Sequence, residues 1–139
     1  MERFLLALNA SESSEVAALL ARQLLETYSE SELIALYVTE MIPDRNGYRL
    51  CLGVEYENEL LSHIQAKLCT LFSPSQIQRV RFRHRQGTNP AKVICQAAIE
   101  FDCDLVVVGR DRKECVRRLI YGSVTYEVLN YAKMSVLVA

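Results

Sequence analysis

The chain contains no apolar run near the ~18 consecutive residues that a membrane-spanning helix needs, so no membrane partner is expected. Nor is there a CxxC pair. The five cysteines, Cys51, Cys69, Cys95, Cys103 and Cys115, are odd in number and scattered. That pattern argues against a disulfide framework and against a zinc site, and it suits small buried hydrophobes or plain thiols. Histidine is scarce: His63 and His84 are the two in the chain. No serine or cysteine sits in a nucleophile-elbow pattern, so no catalytic residue and no resident metal site is nominated, and an enzyme is not expected. Asp102, Asp104 and Asp111 would hold Mg²⁺ only with help from a bound phosphate. Charge of one sign is also lacking. Sixteen Lys and Arg face seventeen Asp and Glu, a net charge of −1, which gives no reason to expect a nucleic-acid partner. Internal repeats, low-complexity tracts and long linkers are absent. Met1-Glu2-Arg3 lead straight into an apolar segment without a cleavage region, so the expected location is cytoplasmic.

What is present fits one α/β domain spanning residues 1–139. The 139 residues suffice for a core that buries roughly 70% of the unfolded surface. Phe4 to Leu8 is continuously apolar, as in a strand covered on both faces. Asn9-Ala10-Ser11 interrupts it, with Ser11 as a helix cap. Val16, Leu19, Leu20 and Leu24 then recur at helical spacing. Leu33 to Val38 reads as a second buried strand, and Met41 to Gly53 as a loop. A helix starting near Val54 turns Leu60, Leu61, Ile64, Leu68 and Leu71 inward, and Ser73-Pro74 ends it. Gln78 to Arg85 alternates as a third strand. Asn89-Pro90 starts a helix with Asn at the cap and Pro in the first turn, and Val93, Ile94, Ala97, Ala98 and Phe101 form its stripe. Leu105 to Val108 is the fourth strand, closed by Gly109. A basic segment follows to Tyr121. Gly122-Ser123 opens the last helix, with Val124, Val128 and Leu129 inward, and Ser135 to Val138 is the last strand.

Strict strand–helix alternation implies a doubly wound, Rossmann-like sheet of five parallel strands in the order 3-2-1-4-5. Ligands of such sheets bind beyond the carboxyl ends of the strands, at the switch point. That edge carries Asn9, Val38 and Gly109. The segment from Gly109 to Thr125 is the most informative. It leaves a buried strand through one glycine and enters a helix through Gly122-Ser123, where free N–H groups and the helix dipole favour a phosphate. Ser123 and Thr125 offer hydroxyl donors, Val124 lies between them, and Arg110 and Arg112 make the surroundings positive. A capped helix beside a solvated basic loop has the same pattern. Arg79, Arg81, Arg83 and Arg85 share one strand face, and the expected role is a charged outer face on an edge strand that deters further pairing.

The same residues resemble the nucleotide loop of the universal stress protein family, G-x2-G-x9-G-[S/T]. Gly109, position 112 and Gly122-Ser123 match its spacing, with Arg112 where the family has its second glycine. Asp104 to Gly109, Ser135 to Val138, and Gly87 with Pro90-Ala91 resemble its flanking segments, so the resemblance runs through the whole chain. It implies an adenine nucleotide alpha hydrolase-like fold and a regulatory or binding module. In members that bind ATP, the loop glycines and the following Ser or Thr hold the phosphates. By resemblance these roles fall on Gly109, Gly122 and Ser123, and Val38 lies near an adenine. Asn9 stands where an aspartate is usual. Arg112 either binds phosphate in bidentate fashion or fills the phosphate site. The resemblance therefore implies ATP or a related adenine nucleotide as ligand. Its alternative is a nucleotide-free dimeric interaction module. It also implies a homodimer through the C-terminal strand.

Overall fold

The computed structural model of the protein describes residues 2–8, 12–50, 53–109 and 124–139. Its strands are β1 (Arg3–Leu8), β2 (Glu32–Asp44), β3 (Gly47–Leu50), β4 (Val80–Gly87), β5 (Leu105–Val108) and β6 (Ser135–Val138). Its helices are α1 (Glu12–Thr27), α2 (Val54–Leu71), the short α3 (Pro74–Ile77), α4 (Pro90–Glu100) and α5 (Val124–Tyr131). The parallel strands lie in the order β4-β2-β1-β5-β6, which is the expected 3-2-1-4-5 arrangement. β3 is an addition to it: it pairs antiparallel with the end of β2.

The sheet is covered on both faces because the cores of its central strands, Phe4 to Leu8, Leu33 to Val38 and Leu105 to Val108, are continuously apolar. Phe4, Leu6, Leu33, Ala35, Tyr37, Leu105 and Val107 face α1 and α2. The alternate residues Leu5, Ile34, Leu36, Val106 and Val108 face α4 and α5. The period of two along each strand thus divides the core into two layers.

The expected elements differ from the structure at four places. The expected loop from Met41 to Gly53 contains a hairpin, with Asp44 paired to Gly47 across Arg45-Asn46. Asn46-Gly47 is a strong hairpin dipeptide, and Gly47 takes φ +118°, open to a residue without a Cβ. Ser73-Pro74 opens a helix as well as following one: the Ser73 hydroxyl accepts from the Gln76 N–H while the Gln76 amide accepts from the Ser73 N–H. On α1 the buried stripe is Ala17, Ala18, Ala21 and Leu25, while Val16 and Leu19 face outward at 46% and 39% exposure. Three alanines let the helix lie close to the sheet, and the larger Leu20 and Leu24 pack along its flanks. On α5, Val128 is buried as expected, but Leu129 is exposed.

Local caps explain several boundaries. The Asn89 side chain accepts from the Lys92 N–H at 3.2 Å, with Pro90 in the first turn of α4. Arg79 donates to the carbonyls of Leu25, Tyr28 and Ser31, tying the carboxyl end of α1 to the start of β4. Asp104 accepts from the N–H groups of Glu2 and Arg3, which clips β1 to β5 and holds its carboxyl below the usual range.

The arginines of β4 are also engaged within the chain. Arg81 pairs with Glu32, Arg85 with Glu100, and Arg83 and Arg85 both stack on Phe101. Among the described cysteines Cys95 and Cys103 are buried and Cys69 is exposed, all as free thiols; burial pushes the Cys103 thiol up to about 11.

Candidate functional site

The carboxyl ends of the parallel strands form one edge of the molecule. Leu8 closes β1, Val38 and Thr39 lie near the middle of the long β2, Gly87 closes β4, and Gly109 follows β5. At this edge the sheet switches direction, since β2 and β4 lie on one side of β1 and β5 and β6 on the other. Ligands of doubly wound sheets bind at such a point.

Gly109 and Thr125 meet here. The Thr125 hydroxyl donates to the Gly109 carbonyl at 2.9 Å, across a sequence separation of 16 residues. The bond fastens the start of α5 to the end of β5. It also engages the Thr125 proton, so this residue positions the helix start. Val38 and Val124 are partly buried and pack against the core beneath α4 and α5. The Ala139 N–H donates to the Val108 carbonyl and holds β6 beside this edge. Asn9, Arg110, Arg112, Gly122 and Ser123, the other residues expected at the site, lie outside the described residues.

Behind this edge, on the α2 side of the sheet, lies a polar cluster that the sequence reading did not single out. Glu57, in the first turn of α2, is only 5% exposed. Its Oε2 accepts from the Tyr37 hydroxyl at 2.6 Å and lies 3.3 Å from the Thr39 hydroxyl. Thr39 is buried and lies 2.5 Å from Nε2 of the exposed His84 on β4. Burial, then the hydrogen bond to Glu57, pushes the Tyr37 hydroxyl pKa well above its ordinary value. A signal for this cluster does exist in the sequence. Glu57, Leu61, Ile64 and Leu68 recur at helical spacing, which puts a carboxylate on an apolar stripe. Such a group requires partners. Thr39 continues the inward alternation of Leu33, Ala35 and Tyr37.

Beside this cluster is a cavity of about 100 Å³. Leu8, Ala35, Leu61, Ile64 and Phe82 give it apolar walls, and Tyr37, Gln65, Arg83 and His84 also line it. Among the described residues no group of three His, Cys, Asp or Glu side chains converges as a metal site, and no helix is long and apolar enough to cross a membrane.

A doubly wound parallel sheet whose loop flanks are joined at the switch point defines the Rossmann-like class of binding folds. The chain belongs to the universal stress protein family, which it matches over residues 1–139. Among solved structures it is similar to a universal stress protein in complex with cAMP, at 20% identity and a TM-score of 0.71, covering 99% of this chain and 95% of that one. It is also similar to the universal stress protein from Archaeoglobus fulgidus in complex with dAMP (16%, 0.67, 99% and 96%). A third is a universal stress protein family protein from Arabidopsis thaliana with AMP bound (16%, 0.63, 99% and 90%). A search of curated protein sequences returns no match.

Proposed function

We propose that this protein is a regulatory binding module that takes an adenine nucleotide at the carboxyl edge of its sheet and acts by binding, without a reaction of its own. The observation that carries the reading is the Thr125–Gly109 hydrogen bond. It brings together the two flanks of the segment whose residues match the family's phosphate loop, at the point where this fold class binds ligands. Gly122 and Ser123 directly precede α5, so the N–H groups at its start and the Ser123 hydroxyl fit the phosphates. Gly109 permits close approach of backbone, and Val38 stands on the side where a base would lie. Three structural relatives hold cAMP, dAMP and AMP, which supports the adenine assignment. Arg112 adds a guanidinium for the phosphates, or else fills their place.

One observation favours a second reading, a nucleotide-free dimeric module. β6 pairs with β5 and ends the strand order, an apolar edge of Val136, Leu137 and Val138. A second copy of this strand would cover that edge, and the usual aspartate and second loop glycine are replaced by Asn9 and Arg112. Calorimetric titration with ATP and AMP separates the two readings. Heat of binding supports the first, and none at millimolar nucleotide leaves the second. If Arg112 is a phosphate ligand, Arg112→Gly weakens binding by about 1.5–3 kcal/mol, the range for charge-assisted hydrogen bonds. If it fills the site, the same change strengthens binding.

A further inference from the structure

We propose that Asn46, at the tip of the β2–β3 hairpin, is a site of spontaneous covalent modification: attack by the Gly47 nitrogen converts it to aspartate and isoaspartate, and the isoaspartate form no longer closes the hairpin. The proposal does not rest on nucleotide binding, since its reactants are the chain's own backbone and water. Asn46 and Gly47 are both exposed, and no hydrogen bond among the described residues holds the Asn46 carboxamide. A Cβ placed on Gly47 would meet nothing within 4 Å, so the space around this residue is open.

In the first step the Gly47 nitrogen, its proton passed to solvent, bonds to Cγ of Asn46. The Cγ–Nδ2 bond breaks, and the side-chain nitrogen takes a proton from solvent and leaves as ammonia, which closes a five-membered imide. Water then opens the ring. Breaking the bond to Cγ restores the main chain with an aspartate. Breaking the bond to the main-chain carbonyl carbon leaves the chain running through Cβ and Cγ, which is isoaspartate. Nothing is oxidised or reduced. Ring closure turns the backbone at both residues, and glycine at φ +118° has the freedom for it. β3 is four residues long and, among the described residues, pairs with β2 alone. A two-stranded hairpin of this size is marginally stable, so it opens at little cost.

The chain has five asparagines, and no other is followed by glycine. Pro90 gives Asn89 no N–H to be attacked through, and the Asn89 carboxamide is engaged with the Lys92 N–H. Asn58 and Asn130 lie inside α2 and α5, where the following N–H is committed to the helix. Asn9 precedes Ala10 and lies outside the described residues. An isoaspartate adds one main-chain carbon to the turn at Arg45-Asn46. Turn length fixes hairpin register, so Asp44 and Gly47 then lose their pairing. An ordinary aspartate at this position keeps the turn length and the hairpin.

The full chain is incubated at neutral and at mildly alkaline pH, beside a free peptide of residues 43–49, and mapped by mass spectrometry after digestion in acid. Asn46 should gain the mass that separates an acid from its amide, in two products resolved by chromatography, and faster at the higher pH. Its rate should lie within about tenfold of the peptide's, which corresponds to a hairpin opening cost below about 1.4 kcal/mol. Asn58, Asn89 and Asn130 should convert at least about tenfold more slowly than Asn46. By amide NMR, Asn46→Asp should keep the cross-strand contacts between β2 and β3. The purified isoaspartate form should lose them while the signals of β1 and β5 stay in place. The proposal is overturned if Asn46 converts more than about tenfold slower than the peptide, if Asn58, Asn89 or Asn130 keeps pace with it, or if the isoaspartate form retains the contacts.

Discussion

Glu57 shows how one residue can hold two layers in place. A buried carboxylate is costly unless it is hydrogen-bonded, and the Tyr37 and Thr39 hydroxyls on β2 both approach its Oε2. The first turn of α2 is thereby fastened to the sheet, and Thr39 in turn reaches His84. Tyr37→Phe removes one donor and leaves the carboxylate underpaired. It should cost about 1–3 kcal/mol in urea denaturation, and a variant as stable as the parent would refute this role. The pH dependence has a definite sign. The Tyr37 pKa is raised on folding, so the folded state holds the phenolic proton more tightly than the unfolded chain, which releases it near 10.0. This contribution is complete below that pH and is lost as pH rises beyond it. Stability of the parent should fall on the alkaline side, and Tyr37→Phe should show a smaller fall.

At the scale of elements, the packing of β4 against α4 depends on a missing side chain. A Cβ placed on Gly87 would collide with Cγ2 of Val93. Val93 is β-branched and has little rotamer freedom in a helix, so it cannot easily turn aside. Gly87→Ala should destabilise the fold by about 1–3 kcal/mol, as overpacking does, and Val93→Ala should restore much of the loss in the double variant. Equal costs in both backgrounds would show that the contact does not matter.

Most elements were legible because period and caps agree, as at Asn89-Pro90 and at the fully apolar β5. The buried stripe of α1 is hidden in the sequence because leucine outweighs alanine in a hydrophobicity pattern, yet the small Ala17, Ala18 and Ala21 determine how close the helix lies. The hairpin after β2 looks like a loop in the sequence because Pro43 and Asn46-Gly47 are turn residues in either case. At the site, the Gly109 and Thr125 flanks were legible as helix and strand ends. The Glu57 cluster was not, because Tyr37, Thr39, Glu57 and His84 come from three elements that only the fold brings together.

For the whole molecule, the two edges of the sheet differ. β4 carries arginines that are engaged by Glu32, Glu100 and Phe101, which leaves a charged border. β6 has Val136, Leu137 and Val138 and no charged residue. Light scattering at micromolar concentration should give twice the chain mass, and a monomer mass would count against pairing through β6. Nucleotide binding is the more consequential property, since it separates a responsive module from a structural one. Calorimetric titration of the purified chain with ATP and AMP, in parallel with Arg112→Gly, measures it directly. Saturable binding to at least one of the two proteins is expected, with the direction of the Arg112→Gly change showing whether the guanidinium holds the phosphates or occupies their place. No measurable binding to either protein at millimolar nucleotide would contradict the nucleotide reading.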